Sequence, residues 1–125
     1  WRAYDDVSNL FSISAPKGII SNWDGTLPEK LSDLIPFSFD QVLGSEETKL
    51  RKPDKEFYRH AFIQSGFPVE QIVYIGDSVK LDIEPAHSLG ANTVLIDRED
   101  RYPWFSGKRI RTLDELTAFF ATEEI

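Results

Sequence analysis

A chain of 125 residues with 41% apolar and 13% aromatic side chains can bury one modest core, and it is too apolar for a disordered polar segment. Its 21 acidic against 14 basic residues leave a net charge of −7, which argues against nucleic acid and anionic lipid as partners. The absence of cysteine excludes disulfides and thiolate metal sites, and no apolar run approaches the roughly 20 residues that span a bilayer, so a soluble cytoplasmic protein is expected.

Along the chain, Val7, Leu10, Phe11 and Ile13 predict a short amphipathic helix over 5–13, closed by Pro16. The run Lys-Gly-Ile-Ile-Ser at 17–21 predicts a brief buried strand that ends in a polar loop over 21–26. Leu27, Leu31, Leu34 and Ile35 recur at helical spacing behind a Thr26 cap, with Pro28 in the first turn. A short strand is expected at Phe39, Val42 and Leu43, before Gly44. Residues 53–65 then read as a helix with Phe57, Tyr58, Ala61 and Phe62 on its buried side and Gly66 as its stop. The run Ile-Val-Tyr-Ile at 72–75 is continuous and β-branched, as a parallel strand covered on both faces should be, and it leads directly into Gly76-Asp77-Ser78. A helix over about 79–89 stops at Gly90, and Thr93, Val94, Leu95 and Ile96 form another buried strand. Residues 97–108 are charged and aromatic without a period and read as loop; Leu113, Leu116, Phe119 and Phe120 predict a last helix capped by Thr112.

Strands alternating with helices at these intervals predict an α/β fold: a Rossmann-like parallel sheet with flanking helices and right-handed crossovers. Ligands of such sheets bind beyond the carboxyl ends of the strands. That rule places 21–26 and 76–82 at one rim.

Three strings at this rim stand together in order: Ile-Ile-Ser-Asn-Trp-Asp at 19–24, Lys52-Pro53, and Ile-Gly-Asp-Ser-Val-Lys-Leu-Asp at 75–82. Their order and separations resemble motifs two, three and four of the haloacid dehalogenase superfamily. Phe39-Asp40, the Ser45-Glu46-Glu47 run, Ala86 and Gly90 are similar to that family's surrounding text. Trp1 with Asp5-Asp6-Val7 resembles the segment where its chain returns from a cap domain to the core. The resemblance covers residues 1 to about 97.

The resemblance implies a phosphatase acting on a small phosphorylated substrate. Ser21 and the N–H of Asn22 would hold phosphoryl oxygens, since a hydroxyl and main-chain donors bring no competing negative charge. Lys52 would be both a substrate-binding and a catalytic residue, a compact cation facing the phosphoryl group. Asp77 would bind Mg²⁺ directly and Asp82 would be a second ligand or a partner behind it, because Mg²⁺ takes oxygen donors and only one or two protein carboxylates. The same residues also have local structural uses. Ser21 suits a strand-end turn, Pro53 a first helical turn, and Asp77, Ser78 and Asp82 the start of a helix.

The family's attacking group is the first aspartate of a D-x-D-x-T motif. Asn22-Trp23-Asp24-Gly25-Thr26 resembles it with Asn in that place, but no second strand-and-serine pair follows before Lys52, and the interval from Ser21 to Lys52 is that from motif two to motif three. The resemblance therefore implies that residues 1–125 are the C-terminal part of a core domain. Motif one with the first, central strand, and the cap, would lie in roughly 80 to 110 residues N-terminal to it, about a small domain. Such a piece is expected to be inactive alone, and its open strand edges should favour a homo-oligomer or a complementing N-terminal segment. Two other readings stand beside this one: a non-catalytic domain that binds phosphate or protein, and a haloacid dehalogenase. The metal-binding aspartate at Asp77 argues against the second, since the metal-free dehalogenases of the family lack it.

Overall fold

In the computed structural model, which describes residues 6, 16–21, 40–44 and 49–116, the strands fall into two parallel sheets. β1 (Gly18–Ser21) pairs with β2 (Gln41–Gly44), Gly18 opposite Gln41 and Ser21 opposite Gly44. β3 (Val73–Gly76), β4 (Asn92–Ile96) and β5 (Arg109–Ile110) form the other sheet in that order. Parallel neighbours need crossover segments, and here α1 (Lys55–Ser65) precedes β3 while α2 (Glu84–Ser88) joins β3 to β4. The fold is α/β, as the alternation of elements predicts. Apart from Asp6, the helices expected over 5–13 and 27–35, and the end of the last one, lie outside the described residues. No helix among the described residues is long and apolar enough to cross a membrane.

Strand side chains alternate between faces, and β3 uses both faces. Tyr74 packs with Phe57, Tyr58, Ala61 and Phe62 of α1 and with Ala86 of α2. Val73 and Ile75 point the other way, against Val94, Ile96, Ile110, Leu113 and Leu116. Apolar cover on both faces is what the unbroken Ile-Val-Tyr-Ile run requires. At the end of α1, Gly66 takes a left-handed φ of 78° and donates its N–H to the carbonyl of Ile63, a stop that a residue with a Cβ would enter only with strain.

The boundaries differ from expectation in three places. α1 begins at Lys55 rather than at Pro53, behind the extended Asp54. The helix expected over 79–89 is a π-helical turn, Val79–Ile83, followed by the short α2. Ser78 starts it by accepting the N–H of Leu81 on its side chain and those of Asp82 and Ile83 on its carbonyl. Pro85 then has no N–H for the carbonyl of Leu81 four residues back, and the Tyr58 hydroxyl donates to that carbonyl instead.

The third difference is β5, an unexpected strand just after the aperiodic 97–108 segment. Asp97, 3% exposed, accepts the N–H groups of Arg101 and Tyr102 at 2.8 Å each and the Arg109 Nε at 3.0 Å. One buried carboxylate thus folds the loop back and sets Arg109 beside β4. Burial raises the pKa of Asp97, but these donors outweigh it and hold the carboxyl below the usual range.

Candidate active site

Between the two sheets lies a groove of about 520 Å³, within the range of small-ligand sites. Gly18, Ile19 and Ile20 of β1 line it on one side and all four residues of β3 on the other. The chain brings three of the sequence-predicted residues into this groove: Lys52, Asp77 and Asp82. Ser21 ends β1 just past the lining residues and opposite Gly44. Asn22 and Asp24 lie outside the described residues.

Asp77 follows the last residue of β3 and is exposed, so its carboxylate is open to the groove. Asp82 is the opposite case. It is 3% exposed, and its Oδ1 accepts Lys52 Nζ at 2.6 Å and the Tyr74 hydroxyl at 3.2 Å. The Tyr58 hydroxyl is 3.4 Å from the same oxygen, and Oδ2 accepts the N–H of Ser78 at 3.2 Å. Of the roughly four lone-pair sites of a carboxylate, Lys52 and Tyr74 take those of Oδ1 and the N–H of Ser78 takes one on Oδ2. Its neighbours keep their protons: burial first, then the charge of Asp82, pushes the phenols of Tyr58 and Tyr74 well above the usual tyrosine range.

The donor set decides how a Mg²⁺ ion would fit. Mg²⁺ holds several waters and substrate oxygens and needs only one or two protein carboxylates. Asp77 meets that demand with an exposed side chain, whereas Asp82 is buried and already bonded to Lys52, to Tyr74 and to the N–H of Ser78. Among the described residues no group of three or more His, Cys, Asp or Glu is arranged to hold a metal.

Residues not singled out by sequence reasoning also shape the groove. Arg98 lines it and is held from behind by Asp6, which accepts both guanidinium nitrogens at 2.8 and 2.9 Å and the N–H of Leu113 at 2.8 Å. The Arg98 hydrogen bonds hold the carboxyl of Asp6 below its ordinary value. These contacts bridge about 90 residues or more, and no local pattern announces them. Tyr74 did leave a sign: a lone tyrosine in an aliphatic buried run needs a partner for its hydroxyl.

Residues 16–96 match the family described as haloacid dehalogenase-like hydrolase. The chain is 42% identical over 121 residues to a glyceraldehyde 3-phosphate phosphatase of Methanocaldococcus jannaschii, covering 88% of this chain and 51% of that protein. It is 30% identical over 98 residues to an (S)-2-haloacid dehalogenase of Pseudomonas putida, covering 77% of this chain and 43% of the relative. Among solved structures, a HAD phosphatase from Thermococcus onnurineus superposes with a TM-score of 0.81 at 27% identity, over 94% of this chain and 57% of that one. The chain thus spans about half the length of the curated relatives it matches. With the parallel α/β fold and the three motifs in register, the chain belongs to the haloacid dehalogenase-like hydrolase family.

Proposed function

We propose that this chain supplies the charge-stabilising half of a Mg²⁺-dependent phosphatase site for a small phosphorylated metabolite. The observation that carries the reading is the convergence of Lys52 and Asp77 on one groove walled by β1 and β3. A transferring phosphoryl group needs cations and donors placed before it arrives, because most of its catalysis is positioning and electrostatics. Ser21 and the N–H of Asn22 are the proposed holders of its oxygens, and Lys52 is the fixed cation. Asp77 would hold Mg²⁺, which supplies Lewis-acid charge when bound. Asp82 serves the site by orienting Lys52. The cysteine-free composition fits a cytoplasmic setting.

Attack on phosphorus is assigned to an aspartate outside residues 1–125. Its carboxylate oxygen bonds to phosphorus as the bond to the leaving oxygen breaks, and water then releases orthophosphate from the aspartyl-phosphate. A segment carrying that aspartate has a ready place. Among the described residues β1 and β3 each end their sheet and both line the groove, and strand edges offer unpaired main-chain groups to a further strand. A complementing strand or a second copy of this chain would satisfy them.

The dehalogenase relative keeps a carbon–halogen substrate in view, and substrate choice tests the proposal. Given Mg²⁺, the full-length protein should release orthophosphate from glyceraldehyde 3-phosphate or another small phosphomonoester and no halide from 2-chloropropionate. Halide release without orthophosphate would reverse the assignment. In the same assay, residues 1–125 alone should be silent and should elute from a sizing column above their 14.3 kDa monomer position. Turnover by that piece, abolished by Asp24→Asn, would return the nucleophile to this chain.

A further inference from the structure

A lysine on a loop holds its charge at one point only if its ammonium group is pinned, because four flexible methylenes carry it. Asp82 pins Lys52 at 2.6 Å, so the position of Lys52 depends on what fixes Asp82. Among its donors, Tyr58 and Tyr74 are not equivalent. A hydroxyl has one proton to give, and that of Tyr58 goes to the carbonyl of Leu81, left without a Pro85 N–H. The proton of Tyr74 is the one available to the carboxylate, at 3.2 Å. The ring of Tyr74 also lies beneath the Lys52 ammonium, 5.8 Å from Nζ to centroid, within range of a cation–π contact. Tyr74 therefore touches both members of the pair. Its ring is in turn held edge-on by Tyr58 at 5.1 Å and by Phe62 at 6.3 Å, so it has little freedom to swing away.

We propose that Tyr74 is a positioning residue for the reaction: its hydroxyl orients Asp82, its ring supports Lys52, and together they aim the ammonium into the groove. Tyr58 acts one step behind, locking the π-helical turn that presents Asp82. The inference rests on the reading of Lys52 as the cation that faces the phosphoryl group.

Three variants of the full-length protein, assayed for phosphomonoester turnover with Mg²⁺, separate the inference from that reading. Tyr74→Phe keeps the ring and the packing and removes only the hydroxyl. It should lower kcat about fivefold, the effect of one lost hydrogen bond, with KM changed less than about twofold. Tyr74→Leu removes both contacts and should lower kcat by about 100-fold in the protein that remains folded. Lys52→Ala should lower it at least as far. A purely structural role would instead depress the melting temperature of both tyrosine variants and leave kcat per folded molecule unchanged. Unchanged kcat in Tyr74→Phe, with Lys52→Ala inactive, would overturn the role of Tyr74 alone. Full activity in Lys52→Ala would overturn the reading of Lys52 beneath it.

Discussion

Replacing Asp77 by asparagine in the full-length protein is expected to lower phosphomonoester turnover by roughly 10²- to 10³-fold, the scale seen when one preorganised charge-stabilising group is lost. The two acidic residues of this motif differ in burial and in partners. Asp82 is buried and spends its oxygens on Lys52, Tyr74 and Ser78, while Asp77 stands exposed at the end of β3 and lines the groove. If one carboxylate here holds the ion, it is Asp77. Asparagine keeps the size and one oxygen donor but removes the charge that a hard cation requires. The loss should therefore be partly recovered at high Mg²⁺, which a titration of kcat against metal concentration reads directly. Wild-type turnover in Asp77→Asn at low as well as high Mg²⁺ would remove Asp77 from the metal site.

Gly76→Ala should be equally damaging for a steric reason. A Cβ on Gly76 would lie 2.7 Å from Oδ2 of Asp82 and closer still to its Cβ and Cγ, distances that packed atoms do not tolerate. Asp82 has no room to retreat, since it is enclosed by Tyr58, Tyr74 and the π-helical turn. Overpacking costs about 1–3 kcal/mol, and forcing a buried ion pair apart adds several more. That sum is a large fraction of the stability of a small domain. Gly76→Ala is expected to express poorly or melt many degrees lower, and whatever folds should lack activity because Lys52 has lost its anchor. Melting by circular dichroism checks the first effect and turnover per folded molecule the second. A variant with wild-type melting temperature and turnover would mean that the Gly76–Asp82 contact is looser than described.

The strands that proved readable were those whose residues state their own burial. The Ile-Val-Tyr-Ile run over 72–75 needs cover on two faces and receives it, and the apolar run around Val94 likewise forms a strand with a buried end. β5 was hidden because nothing in Arg109 and Ile110 marks a strand. Its place is set by Asp97, a residue that looks like any charged loop position until its three donors, Arg101, Tyr102 and Arg109, are seen around it. The break in the helix over 79–89 was foreshadowed by Pro85, but its shape depends on a hydroxyl from α1. Lys52, Asp77 and Asp82, singled out from three strings in register, all line the groove. What Asp82 does there was not legible: Lys52 lies 30 positions away, and only folding brings its ammonium and the Tyr74 hydroxyl onto one oxygen.

The central claim is that this chain stabilises charge while the attack on phosphorus comes from elsewhere, and the most direct test is to find where the phosphoryl group goes. The full-length protein would be incubated briefly with a turned-over phosphomonoester and Mg²⁺ and quenched with borohydride, which reduces an aspartyl-phosphate to homoserine. Mass mapping then locates the reduced residue. The account predicts one modified aspartate, outside residues 1–125. A modified Asp24, Asp77 or Asp82 would contradict it.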